Sequence, residues 1–323
     1  MTAPDASASA ACLWCGGPRT LRFSVRADWR LPESTPPREV YWCDACDAGS
    51  VFPLPQPEEV PSFYPEGYYT HADGLAANEA ASLESKLRQH LAWRLNREVA
   101  DTPELLRCFL PELDAIEICD LGCGNGLALR PFREAGVRVV GVEPDDRARA
   151  VAARELDEVH AGTAESLPEA LNGRQFSCVR LFHSLEHCVD PARALDRAVE
   201  LIAPGGVLVL EVPNCASRGF RTQLGSWPWT DLPRHLHFLT ETALRRACAA
   251  RGLEVEALNY RGFARQFTDG WLADERRMHA ALHPEDKPVP VKRRAWAFLL
   301  AGAFLPRPAK YDSVYLIARR AAE

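Results

Sequence analysis

The chain lacks an excess of positive charge: 38 Lys and Arg stand against 44 Asp and Glu, for a net charge of -6 over 323 residues. Nucleic acids and anionic membranes ask for a basic surface, so this balance disfavours either as the main partner without excluding it. A secretory leader is not legible, because Met1–Ala11 carries neither a basic start nor an apolar stretch. Long hydrophobic runs are missing too. The longest, Ala295–Leu305, falls well short of the roughly 20 residues that span a bilayer. The expectation is a cytoplasmic, soluble protein with no stable membrane insertion, a monomer or homodimer, whose eleven cysteines are mostly reduced. Its length suits one main domain plus an appendage.

What the chain does have is organised around Ile118-Cys119-Asp120-Leu121-Gly122-Cys123-Gly124-Asn125-Gly126. A short apolar run leads into three alternating glycines and then a helical pattern, which reads as strand, tight turn and helix. Glycine is needed where the backbone must bend unusually and approach a bound molecule closely. Glu143 ends the next apolar run, 21 positions after Gly122, where a doubly wound sheet presents an acid to the ribose hydroxyls of a nucleoside. The G-x-G-x-G spacing after an acid differs from the dinucleotide pattern G-x-G-x-x-G. It resembles motif I of class I S-adenosylmethionine (SAM) methyltransferases. That resemblance implies that Asp120 and the turn Gly122, Cys123, Gly124 and Gly126 hold the methionine part of SAM and that Glu143 holds the ribose. It further implies Ala164 and Glu165 at the adenine; Phe182 ends the fourth strand, at the ligand-binding edge of the sheet. Glu165 can alternatively be read as a helix-start acid opposing the macrodipole.

Cys12-x-x-Cys15 and Cys43-x-x-Cys46 form two knuckles able to deliver four thiolates to a tetrahedral zinc. A closed site of four cysteines leaves no position for substrate, so the zinc is read as structural, with a redox dithiol as the rival. A proline-rich connector, Val51-Phe-Pro-Leu-Pro-Gln-Pro, then leads to Phe63-Tyr64-Pro65-Glu66-Gly67-Tyr68-Tyr69-Thr70-His71. This order of ribbon, connector and glycine motif resembles bacterial methyltransferases acting on sugars and other natural-product or envelope precursors. In those the aromatic segment lies near the cofactor, which nominates Tyr68, Tyr69 and His71 as substrate contacts.

The spacing of Leu83, Leu87, Leu91, Leu95 and Val99 predicts one long amphipathic helix within 78–109. Strands are expected near 115–121, 137–143, 157–161, 176–182, 206–212, 253–260 and 311–318, with helices near 126–135, 145–155, 190–203 and 241–251. The fold expected is α/β, a doubly wound Rossmann-like seven-stranded sheet whose last strand is antiparallel. Three parts follow: a zinc ribbon (1–55), a linker and lid helix (56–110), and a SAM-binding domain (111–323) with a substrate-pocket insertion at about 213–240.

SAM carries an already electrophilic methyl, so the protein must align a nucleophile and, for a hydroxyl, remove a proton. A base titrating near neutrality points to histidine, and His183, His187, His235 and His237 fall in two short segments after sheet strands. One reading makes His183, His187 or His235 the base, oriented by Glu186 or Asp231. Arg234 would then hold an acidic substrate group, with Trp229 and His237 lining the pocket. In a second, His183, Glu186, His187 and His235 bind a divalent metal, because His183-Ser-Leu-Glu186-His187 resembles the E-x-x-E-H of ubiquinone-pathway and small-RNA O-methyltransferases. His183 at the first acid would favour an ion softer than magnesium, or none. A third has Glu186 and His187 merely brace the loop. The function expected is methyl transfer from SAM to a small molecule, first at oxygen, with sugar carbon or nitrogen next. RNA or protein methylation and non-catalytic SAM binding are the rivals.

Overall fold

The computed structural model describes residues 11–31, 36–64, 82–110 and 116–321. Its centre is a seven-stranded sheet: β4 (Glu117–Leu121), β5 (Arg138–Val142), β6 (Glu158–His160), β7 (Phe176–Phe182), β8 (Ile202–Pro213), β10 (Leu253–Arg261) and β11 (Ser313–Arg320). The spatial order is β10-β11-β8-β7-β4-β5-β6. Five strands run parallel, and β11 lies antiparallel between β8 and β10. This is the class I methyltransferase sheet. Strands β4 and β5 are buried on both faces over four of their five residues each, as a doubly covered parallel sheet demands.

Local sequence fixes the covering helices. Asp145 accepts from the N–H groups of Arg147 and Ala148 to start α3 (Asp146–Glu155), and Asp190 with Pro191 at the first turn starts α4 (Pro191–Leu201). The latter buries Ala194, Leu195, Ala198 and Leu201, the stripe of a helix lying on a sheet.

One expected element is corrected. Instead of a long helix, α1 spans Leu83–Leu95, an extended stretch follows, and α2 restarts at Pro103–Arg107 behind the Thr102 cap. The leucines also face the wrong way: Leu83, Leu87 and Leu91 are exposed, whereas Ser85, Arg88 and Ala92 are buried. Arg88 decides the orientation by donating to the Phe267 carbonyl (2.9 Å) and to Asp269 (2.6 Å), bonds that a buried guanidinium must make.

A second sheet has four strands: β1 (Thr20–Val25), β2 (Arg38–Cys43), β3 (Ala48–Phe52) and, from the far side of the sequence, β9 (His237–Phe238). Val25, Val40, Trp42 and Val51 pack there against Phe220, Trp227, Leu236 and Phe238. The N-terminal ribbon and the insertion near 213–240 therefore share one sheet and one core.

Candidate active site

The glycine turn leaves β4 in the left-handed region, with φ of 89° at Gly122, 56° at Gly124 and 75° at Gly126. A Cβ on Gly122 would stand 2.6 Å from the Cβ of Ser184, so the turn packs directly against the loop leaving β7. Asp120, at the end of β4, is buried, and its Oδ1 has no hydrogen-bond partner among the described residues. Its Oδ2 lies 3.4 Å from Arg180 Nε, and Arg180 donates to Asp101 at 2.8 Å. Burial raises the Asp120 carboxyl to about 6, with Arg180 opposing. Glu143, buried at the end of β5, accepts from Gly124 N (2.9 Å) and Asp145 N (3.0 Å), tying the glycine turn to the next turn. An orphaned buried carboxylate oxygen, a turn with glycine at three alternate positions and a second buried acid one strand away fit the amino-acid and ribose ends of SAM.

Other nominated cofactor contacts vary. Glu165 accepts from Val189 N (2.7 Å) and Asp190 N (3.2 Å), so it braces the start of α4. Ala164 is buried, while half-buried Phe182 lies under the guanidiniums of Arg180 and Arg261. Cys123 Sγ packs where a Cβ on Gly141 would reach it at 2.5 Å, a glycine requirement the motif did not announce.

Beside the turn, Leu185–His187 form a single helical turn carrying Glu186 and His187. Their companion His235 comes from the insertion. His187 Nδ1 lies 3.0 Å from the Arg234 carbonyl and His235 Nδ1 lies 2.6 Å from the Trp229 carbonyl. A carbonyl only accepts, so each Nδ1 carries the proton and each Nε2 keeps a lone pair. Burial first, then the neighbouring ring, lowers His187 to about 4, and burial lowers His235 to about 4. Glu186 Oε2 is buried and unpartnered among the described residues. One ligand atom each from Glu186, His187 and His235 all lie within 4.8 Å of one another. Two neutral imidazoles and one carboxylate form a donor set for a divalent transition ion.

His183 stands apart from this triad. Its Nδ1 meets Glu186 Oε1 and its Nε2 meets Glu211 Oε1, both at 3.2 Å. Burial opposes the imidazolium, but the two carboxylates prevail and raise His183 to about 9. With both nitrogens engaged and the ring charged, it is unsuited to be base or metal ligand, which corrects that expectation. It stacks on Trp229 at 4.9 Å, so Trp229 is a wall of the cluster.

Three further expectations change. Every N–H of Arg234 is engaged: Nε with Asp231 (3.0 Å), Nη1 with Asp28 (2.8 Å) and the Phe63 carbonyl (2.7 Å), Nη2 with Asp28 (2.7 Å) and Asp231 (3.0 Å). It has nothing left for a substrate. Asp231 also takes Trp29 and Arg30, each at 3.1 Å; burial opposes its charge, but Arg234 and Arg30 hold its carboxyl well below the usual range. It braces the ribbon and does not orient a base. His237 spans Ser50 Oγ (3.0 Å) and the Cys188 carbonyl (2.9 Å), pinning β9 to β3. Tyr68, Tyr69 and His71 lie outside the described residues, but their neighbour Tyr64 places its hydroxyl 3.1 Å from His187 Nδ1.

Sequence reasoning missed Arg180, Glu211, Arg261, Arg265 and Asp312. Arg265 binds Asp312 at 2.7 Å, and Arg261 binds Glu211. Their signal was present: Arg180 in Val179–Phe182 and Glu211 in Val207–Val212 are lone charges inside apolar strands, where a charge must have a partner.

At the ribbon, Cys12 and Cys46 Sγ lie 3.8 Å apart, and Cys15 and Cys43 Sγ lie 3.7 Å apart. A tetrahedral zinc with Zn–S of about 2.3 Å sets sulfur atoms about 3.8 Å apart, so the four positions suit that ion. Trp14 N and Gly17 N donate to Cys12 and Cys15 Sγ, each at 3.4 Å. Hydrogen bonding to the other thiols lowers Cys15 to about 7, whereas burial raises Cys12 and Cys46.

The comparisons agree with this geometry. A family model for a methyltransferase domain matches residues 91–258, just over half of the chain. The chain belongs to that family, and its fold and glycine turn are those of class I SAM-dependent methyltransferases. It is 31% identical over 161 residues to a ubiquinone biosynthesis O-methyltransferase of Azorhizobium caulinodans, covering 46% of this chain and 63% of that one. A namesake from Aromatoleum aromaticum is 30% identical over 156 residues, covering 44% and 65%. The match thus spans less than two thirds of either relative. Among solved structures, a SAM-dependent methyltransferase from Thermotoga maritima, described as a possible histamine N-methyltransferase, is 17% identical with a TM-score of 0.43, covering 74% of this chain and 91% of that one.

Proposed function

We propose that the chain transfers the methyl group of SAM to a hydroxyl oxygen of a small-molecule acceptor, next to a divalent ion held by Glu186, His187 and His235. One observation carries the reading. Gly122 of the cofactor turn touches Ser184, two residues before Glu186, so the cofactor turn and the triad of two imidazoles and one carboxylate abut. The same segment in ubiquinone-type O-methyltransferases, which it resembles, supports oxygen as the acceptor atom.

The cofactor would supply an electrophilic methyl, and the ion would polarise an acceptor oxygen so that it loses its proton near neutral pH. The chain's own residues align the partners. Asp120 would receive the cofactor ammonium, Glu143 the ribose, and the carbonyls of Arg234 and Trp229 hold the imidazoles of His187 and His235 in the tautomer that presents Nε2. The His183 imidazolium between Glu186 and Glu211 keeps one Glu186 oxygen fixed and the other turned free.

The test measures S-adenosylhomocysteine release over fractionated metabolites. Turnover should vanish on chelation and return with manganese, iron or zinc, while His187→Ala and His235→Ala lose turnover but keep SAM affinity by calorimetry. Full activity in both variants would reduce the triad to a structural brace. Methyl acceptance by RNA or protein, or none by any fraction, would support the rival functions.

A further inference from the structure

We propose that the shared outer face of α1 and the helix α5 (Val291–Ala301) docks the protein on an anionic lipid surface. Eight large hydrophobic residues are exposed among the described residues, and six of them are on α1 or on and just after α5: Leu83, Leu87, Leu91, Trp93, Leu300 and Phe304. The exposure is extreme, 85% at Leu83, 71% at Leu300 and 91% at Phe304. Side chains standing that clear of the surface suit insertion beneath lipid headgroups better than packing on a flat protein face.

The two helices lie side by side. Glu84 of α1 accepts from Lys292 Nζ and Trp296 Nε1 of α5, both at 3.0 Å. Farther along, Lys310, on the short helix Arg307–Lys310 that follows α5, donates from Nζ to the Leu95 carbonyl at 2.7 Å and ties the end of α1 to the same region. Leu91 follows Glu84 by seven positions and Leu300 follows Trp296 by four, so each lies on the same side of its own helix as the residue that bridges the pair. Leu83, Leu87 and Leu91 thus form an exposed apolar strip along α1, and Leu300 and Phe304 protrude at and just past the end of α5.

Charge complements it. Lys86, Arg94 and Arg97 on and after α1, and Arg293 and Arg307 on and after α5, are exposed around the strip. None of the five has a carboxylate partner among the described residues of this face. The nearby acids are engaged: Glu84 as above, and Glu98 with the backbone N–H of Gly262 at 2.7 Å. A chain of net charge -6 thus carries a basic rim around protruding Trp, Leu and Phe tips, the composition of an interfacial anchor. No helix of the described residues is long and apolar enough to cross a membrane, so the contact is peripheral.

Co-sedimentation of the full chain with phosphatidylglycerol-containing vesicles, against pure phosphatidylcholine, tests this independently of catalysis. Binding to the anionic vesicles alone is expected. The pairs Leu300→Ser with Phe304→Ser and Arg293→Glu with Arg307→Glu should each weaken it by about tenfold or more, and raising the salt should weaken wild-type binding as the charge reversal does. SAM affinity should stay unchanged in both pairs, reporting an intact fold. Absence of vesicle binding, or equal binding by wild type and both pairs, would overturn the proposal. So would a wild-type dimer in light scattering that becomes monomer in the serine pair, since the strip would then be covered by a second copy.

Discussion

Replacing Asp120 with Asn should move stability and cofactor affinity in opposite directions. Burial holds this carboxyl at about 6, although Arg180 lies beside it. A buried carboxyl shifted from an ordinary value near 3.8 to about 6 costs the folded state up to about 3 kcal/mol at pH 7. The sign follows from linkage. Well below pH 3.8 the group is protonated in both states and costs nothing; as pH rises the unfolded chain ionises first, and stability is lost until the folded group ionises near 6. Asn carries no charge and escapes the loss. Denaturant melts should show the variant more stable by about 1–3 kcal/mol at pH 7, with the gap closing by about pH 4. SAM affinity should fall roughly ten- to a hundredfold, since a buried charged hydrogen bond to the ammonium is worth about 1.5–3 kcal/mol. Wild-type affinity should itself decline below about pH 6, where Asp120 becomes neutral. A variant that binds SAM normally and melts like wild type at both pH values would show that Asp120 is neither a charge burden nor a cofactor ligand.

Glu143→Ala should weaken SAM by a comparable factor in calorimetry, and unchanged affinity would remove it from the ribose site. Purified protein should contain about one zinc per chain by elemental analysis, and Cys43→Ser should lose it along with several degrees of melting temperature. Arg234→Met should destabilise the fold by roughly 3–5 kcal/mol in denaturant, because buried Asp28 loses its guanidinium partner and Asp231 is left to Arg30 and Trp29 alone. A stable Arg234 variant with only a raised KM would restore it as a substrate contact.

The sheet was legible because its signals are local. Several core strands are short apolar runs closed by Gly or an acid, as β4 is by Gly122 and β5 by Glu143, and the seven expected strands fall within a few residues of the observed ones. The same locality failed for α1, where leucines at helical spacing imply a buried stripe but Arg88 and Ser85 occupy the inner face through bonds to Phe267 and Asp269, far along the chain. The cluster was legible only in composition. His183 and His187 look equivalent in sequence, yet His183 has a φ of 52° and lies between two acids, one of them on β8, while His187 points into the triad. Nothing within the segment records Glu211, so nothing local could tell a charged histidine from a neutral one.

The ribbon's place in the fold argues for its role. A nucleic-acid grip would leave its face free, but here β3 pairs with β9, Ser50 meets His237, and Asp28 meets Arg234. All three insertion contacts lie within three residues of His235, the triad member contributed from outside the β7 turn. Arg234 also positions His187 through its carbonyl. Two imidazoles thus depend on a loop that has its own anchor in the ribbon. Loss of a metal held by the four knuckle cysteines should therefore reach the triad before the glycine turn, whose bonds to Val142 and Glu143 lie wholly within the sheet. Chelation strong enough to strip the four knuckle thiolates should abolish turnover irreversibly while leaving SAM binding measurable, and a weaker chelator should give a loss that added ion reverses. Simultaneous loss of SAM binding and turnover on stripping would show that the ribbon supports the whole domain and not its acceptor side.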